Sequence, residues 1–205
     1  MVESDGKKER IIEAALKRFS HFGISKTTMN EIADDLNISK AALYYYFPDK
    51  NSLFLEVAST ILAEQLEKQY KALTDAESIP DGLMKMIDAR LSFSEQFHIM
   101  KIQDLQIDYF YKDSRFAELR QKIKEKENII VENFLDSRIE KGEIDEIDTE
   151  KAADTINNII MGVGMAELHF CSDPASILLS TELMNGFREK MKDIIALLYR
   201  GLKKQ

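Results

Sequence analysis

The 205-residue chain has no tryptophan, one cysteine, three histidines and three prolines. Each scarcity closes a class of reading. Cys171 has no intrachain partner, which fits a reducing, cytoplasmic setting. His21, His98 and His169 are far apart, and none belongs to a His-Glu-x-x-His pair. His169 and Cys171 lie two residues apart, but no second pair completes a zinc site, so neither a metal nor a cofactor is expected. No apolar run approaches the ~18 residues of a membrane span, and residues 2–8 lead into no apolar core of a secretory signal. With only eight glycines beside the three prolines, long helices and few tight turns are expected. No strand pattern, phosphate-binding glycine loop or local cluster of catalytic polar residues is present, which argues against an enzyme.

Hydrophobic residues make up 44% and charged residues 31% of the chain, as in a globular protein. The net charge of −8 is unevenly placed. Residues 1–55 hold eight basic and eight acidic side chains, so the whole excess falls on residues 56–205. A neutral head on an acidic body permits nucleic-acid binding without requiring it.

The head carries a pattern of caps and stripes. Ile11, Ile12, Ala15, Leu16, Phe19 and Phe22 recur at helical spacing over residues 7–22, and Gly23 follows where a left-handed cap is wanted. Thr28 and Glu31 have the spacing of a capping box, opening a helix with Ile32, Ala33 and Leu36 on its inner face. Asn37 tolerates left-handed backbone, and Ser39 caps a third helix over residues 40–47 that ends before Pro48. Two short helices joined by so brief a turn form a helix-turn-helix. Leu43 and Phe47 face inward; Lys40, Ala41, Tyr44 and Tyr45 are left outside.

Taken in order and without gaps from about residue 8 to 53, these features resemble the TetR (tetracycline-repressor) family. They include Ile11-Ile12-Glu13-Ala14-Ala15-Leu16, Phe22-Gly23, Thr27-Thr28-Met29, Glu31-Ile32-Ala33, Ile38-Ser39-Lys40-Ala41-Ala42-Leu43-Tyr44, Phe47 and Lys50. Asn37 and Ala41 stand where the family usually has glycine, and Tyr45-Tyr46 where it often has His or Trp. The resemblance implies an all-α fold of about nine helices. Residues 5–65 would form a DNA-binding domain and residues 66–205 a ligand-binding and dimerisation domain. It further implies a repressor that binds a near-palindromic double-stranded operator as a homodimer and is released by a small apolar or amphipathic effector. Activation uses the same contacts and stays open. A helical module that had lost DNA binding would show a degraded third helix, whereas this one keeps Lys40, Tyr44 and Lys50.

On DNA, the third helix enters the major groove by its N-terminal residues. Lys40 donates to guanine or phosphate, and Ala41 approaches a thymine methyl. Tyr44 and Tyr45 reach the sugar-phosphate backbone, and Thr27, Thr28, Ser39 and Lys50 sit at helix starts suited to phosphate.

Helical patterns fill the rest: residues 51–73, 80–97, 99–111, 115–141, 149–170 and 177–202, with Gly142 as a cap and a loop at 171–176. The last two carry apolar stripes that include Ile156, Ile160 and Val163, then Leu183, Phe187, Met191 and Ile194. A stripe looks the same in a core and in an interface; the resemblance assigns these to a four-helix dimer interface. It likewise places a ligand pocket among Arg90, Phe93, Phe97, Met100, Tyr109, Phe110, Glu127, Met161 and Met165. Aromatic and Met side chains there suit an apolar ligand, and Arg90 and Glu127 are candidate anchors for its polar end.

Overall fold

The computed structural model describes residues 2–99, 113–169 and 181–202, with side chains over 6–92, 113–166 and 183–202. Among these residues there are eight helices and no strand: α1 (Val2–Phe22), α2 (Met29–Asp35), α3 (Lys40–Tyr46), α4 (Lys50–Thr74), α5 (Ile79–Ile99), α6 (Ser114–Glu140), α7 (Thr149–His169) and α8 (Thr181–Leu202). The fold is all-α, as expected. The helix expected over 99–111 and the loop over 171–176 lie outside the described residues.

Capping chemistry sets most of the boundaries. The Gly23 amide bonds the Phe19 carbonyl at 2.9 Å, with Gly23 at φ 82°. The Thr28 hydroxyl accepts from the Glu31 amide while the Glu31 carboxylate accepts from the Thr28 amide, so two free helix-start donors are satisfied reciprocally. Asn37 is the one non-glycine residue at positive φ among those described, at 52°. There the Ile38 amide bonds the Ala33 carbonyl and the Asn37 amide bonds that of Asp34, closing α2. Gly142, at φ 72°, ends α6 in the same way: its own amide reaches the Ile139 carbonyl, and that of Glu143 reaches Arg138. Ser39 and Asp49 cap α3 and α4 through the amides of Ala42 and Ser52.

Two compact units result. The first takes the described residues of Met1–Ala63 and Gln96–Arg120. Its core gathers Ile11, Ala15 and Phe19 from α1, Ile32 from α2, Leu43 from α3, and Leu53, Phe54 and Val57 from α4. Phe54 meets Phe19 edge-on at 5.9 Å and Phe116 at 5.7 Å. The start of α6 thus packs with the head, a long-range contact that a boundary at residue 65 leaves out. Phe22, expected on the inner stripe, is exposed instead, with the Arg18 guanidinium 5.4 Å from its ring.

The second unit takes the described residues of Glu64–Glu95 and Gln121–Gln205. Its core joins Leu73, Leu83, Met86, Ile87, Val131, Phe134, Leu135, Ile156, Ile160, Phe187, Met191 and Ile195. Arg138 is buried here, with its guanidinium 4.8 Å over the Phe134 ring and bonded to the carbonyls of Ala76 and Glu77. Gly82 leaves the room that this stack occupies: a Cβ there would stand 2.5 Å from Phe134 Cζ and 3.0 Å from the Ala76 Cβ.

Gly82→Ala is therefore expected to lower the melting temperature, because overpacking (about 1–3 kcal/mol) outweighs the gain in helix propensity. Gly6→Ala, in open space on α1, is expected to raise it, by up to about 1 kcal/mol. Thermal melts of the two single variants beside the wild type check the opposite signs.

Candidate functional site

The outer face of α3 is the clearest candidate surface in the first unit. Leu43 and Phe47 are buried, and this anchors the helix by one side. Ser39, Lys40 and Ala41 are exposed, Tyr44 is 47% exposed and Tyr45 83%. Tyr45 rests edge-on against Tyr46 at 5.3 Å, so one ring supports the other. No acidic side chain occurs from Leu36 to Pro48, so the face carries the Lys40 charge unopposed by its own helix.

Two of the expected contact residues turn out to be occupied. Thr27 is fully buried and its hydroxyl donates to the Gly23 carbonyl at 2.9 Å, so its side chain cannot reach a phosphate without unfolding the turn. Lys50 is half-buried, and its ammonium donates to the carbonyls of Ile24 and Thr27, each at 2.9 Å. Desolvation pushes the Lys50 pKa down, with Glu31 nearby acting in the opposite sense. Sequence alone placed Lys50 at a helix start facing solvent; the tertiary fold uses it as a strut between the α1–α2 turn and α4. Thr28 is exposed, yet its hydroxyl is committed to the capping box.

The head is braced by charge. Arg18 forks onto Asp35, with Nη2 3.0 Å from Oδ1, and also reaches Glu31 at 3.3 Å. Its hydrogen bond holds the Asp35 carboxyl below the usual range. The Thr28 amide and hydroxyl do the same for Glu31, and the Ser52 amide for Asp49.

The expected ligand residues divide. The side chains of Phe93 and Phe97, and all of Met100, Tyr109 and Phe110, lie outside what is described. Met161 and Met165 are 61% and 62% exposed on the outward face of α7, so they line no interior space. Arg90 and Glu127 do come together, inside the second unit. Arg90 Nη2 lies 3.4 Å from Glu127 Oε1 and donates to Asn157 Oδ1 at 2.7 Å, while Nε donates to Gln69 at 2.7 Å. Burial pushes the Arg90 pKa down, and Glu127 opposes this. Gln65, Gln69 and Asn157 are buried polar members that periodicity did not single out. The available signal was Gln65 and Gln69 four residues apart on one face of α4, between the buried Ile61 and Leu73.

The expected interface residues also need correction. Ile156, Ile160, Phe187 and Met191 belong to the chain's own core, and Val163 and Ile194 are half-buried against it. Leu183 is half-buried too. Stripes on α7 and α8 are covered by α5 and α6 side chains of the same unit, which a pattern of apolar residues cannot distinguish from cover by a partner. Among the described residues, the large apolar side chains of these helices that face outward are Met161, Met165 and Leu197, the last 66% exposed. Leu197 lines an open apolar cleft of about 660 Å³ with Ile147, Ala152, Ile156 and Leu198.

Residues 11–57 match the model for bacterial regulatory proteins of the tetR family. An uncharacterised HTH-type transcriptional regulator, YhgD of Bacillus subtilis, is 28% identical over 137 residues, which span 66% of this chain and 69% of that one. A probable acrEF/envCD operon repressor of Escherichia coli is 42% identical over 50 residues, 24% of this chain and 23% of the repressor. Among solved structures, a transcriptional regulator from Cytophaga hutchinsonii superposes with a TM-score of 0.80 at 28% identity, covering 97% of this chain and 100% of that chain.

Because the folded-state pKa values of Glu31, Asp35 and Asp49 are lowered, their stabilisation is complete above the unfolded carboxylate value of about 4 and is lost as pH falls through the folded values. Glu31→Gln keeps a capping-box residue but removes the charge. Urea titrations of the full chain should find this variant less stable than wild type at neutral pH, with the gap closing in acid. A gap that stayed constant with pH would show that the charge contributes nothing.

Proposed function

The chain belongs to the TetR family of bacterial transcriptional regulators, and from that premise we propose that it is a repressor that binds a near-palindromic operator as a homodimer and is released by a small amphipathic effector. The observation that carries this reading is the outer face of α3. Ser39, Lys40, Ala41, Tyr44 and Tyr45 stand clear of a helix whose inner side is buried and whose entry angle is fixed by the Asn37 turn.

Lys40 at the first position of α3 reaches a base edge or phosphate, Ala41 leaves room for close approach, and the two tyrosines offer hydroxyls to the backbone. Lys50 acts behind this face by holding the turn that precedes α2. Gel-shift titrations at several salt concentrations separate the two roles. Lys40→Ala is expected to weaken operator binding and relax preference at one base pair, at a cost of roughly 1–3 kcal/mol. Lys50→Met is expected to weaken binding and lower the melting temperature while leaving the salt slope unchanged. A slope reduced by about 0.9 would make Lys50 a phosphate ligand instead.

A dimer places two α3 helices about 34–36 Å apart, or a multiple of that, to read two half-sites. The support for pairing is the outward apolar set Met161, Met165 and Leu197, beside the cleft that Leu197 lines. Leu197→Arg and Met165→Arg are expected to give folded monomers, because each charge falls on surface that only a partner covers. Phe187→Arg should instead unfold the chain, since Phe187 is in its own core. Sedimentation with circular dichroism distinguishes the outcomes; dimeric Leu197→Arg and Met165→Arg would remove this face from the interface.

The effector part of the reading is supported by the polar group around the half-buried Arg90 and Glu127, with buried Gln69 and Asn157, inside the apolar second unit. A ligand releases DNA only by its difference in affinity for the two forms of the protein, and operator must weaken ligand binding by the same factor.

A further inference from the structure

Four helices of the second unit send polar side chains to one place. Gln65 and Gln69 come from α4, Arg90 from α5, Glu127 and Asn128 from α6, and Asn157 from α7. Gln69 accepts from Arg90 Nε at 2.7 Å and donates to Glu127 at 3.2 Å, so its amide bridges the two charges. Asn157 accepts from Arg90 and donates to Asn128 at 2.8 Å. Asn128 in turn donates to Asp154, which pairs with Lys124 nearer the surface. The charges are thus matched: Arg90 with Glu127, Lys124 with Asp154.

One acceptor beside this group is unpaired. Gln65 is buried, and its Nε2 is fixed by the Ala89 carbonyl at 2.9 Å, which sets the orientation of the amide. Its Oε1, also buried, has no hydrogen-bond partner among the described residues. An unpaired buried acceptor is costly, and a donor brought to it recovers that cost. Gln65 lies one helical turn from Gln69 on the same face of α4, and the carbonyl that holds it belongs to Ala89, the residue before Arg90.

Resting on the effector reading above, we infer that this cluster is an electroneutral anchor for an amphipathic molecule with an uncharged, hydrogen-bond-donating head, such as a hydroxyl or primary amide, which donates to Gln65 Oε1. Arg90 is already balanced by Glu127. A carboxylate would have to displace Glu127 or lie beside it, and an ammonium would have to do the same to Arg90; either leaves a buried charge unmatched. A neutral donor pairs with the Gln65 acceptor without disturbing the two charges.

Four compounds with one decyl body test this: decanol, decanamide, decanoate and decyltrimethylammonium. Each is titrated against the full chain by thermal shift and by release of operator DNA. Decanol and decanamide are expected to bind at least tenfold more tightly than the two ions. Gln65→Met removes the acceptor together with the bond to the Ala89 carbonyl; with the fold checked by circular dichroism, it should cost decanol at least tenfold. Glu127→Gln, nearly isosteric, leaves Arg90 unbalanced and should improve decanoate at least tenfold; a merely structural role for the pair predicts no such reversal. If an ion binds wild type most tightly, or if neither variant changes the order of preference, the head-group assignment falls while the effector reading stands. If none of the four shifts the melting temperature or releases DNA from wild type or Glu127→Gln, the effector reading falls with it.

Discussion

The helix-turn-helix depends on one backbone conformation, the left-handed Asn37 at φ 52°. Asn37 lets the amides of residues 37 and 38 fold back onto the last carbonyls of α2, which ends that helix and sets the direction of the next. If α2 continued for another turn, Leu43 and Phe47 would lose their places in the core and the outer face of α3 would have no fixed orientation. Asn adopts this conformation at some cost relative to glycine, and the costs are offset on both sides. Thr28 and Glu31 satisfy the start of α2, Ser39 satisfies the start of α3, and Arg18 ties Asp35 at the end of α2 back to α1.

Lys50 extends the same logic. An ammonium at a helix start is a ready phosphate ligand when it faces water. Here two backbone carbonyls at the end of the α1–α2 connection capture it, Ile24 and Thr27. The Ile24 carbonyl also accepts from the Thr27 amide at 3.2 Å. The lysine adds a donor to both carbonyls and locks α4 to the turn in front of α2. Of the polar residues expected on that face, Thr27 and Lys50 are thus engaged within the fold, while Ser39 and the outward side of α3 stay exposed.

In the second unit, the polar group around Arg90 stands out against an aliphatic core. Arg90 and Glu127 are only partly buried, and the buried amides of Gln69 and Asn157 satisfy the guanidinium where the two charges meet. The spare acceptor of Gln65 belongs to the same small region. Apolar packing through Met86, Ile87, Val131 and Leu135 holds the helices that carry these groups, so the cluster is preorganised by a core that it does not itself create.

The amino-acid sequence by itself determined the all-α fold, the ends of nearly every helix and the outer face of α3. Each of these follows from local rules: a cap reads residues three apart, a helix face reads residues three and four apart, and Asn37, Gly23 and Gly142 mark left-handed turns by their own steric freedom. Tertiary structure decided what covers each face. Ile156, Ile160, Phe187 and Met191 could equally have met a second chain; they meet this one. Thr27 and Lys50 are polar residues at helix starts by sequence, yet the Gly23 carbonyl and the carbonyls of Ile24 and Thr27 claim them. Met161 and Met165 face solvent, while Arg90 and Glu127, 37 positions apart in the chain, find each other from separate helices. Periodicity gives a side chain's direction relative to its own helix axis, and only the packing of helices far apart in sequence gives what lies in that direction.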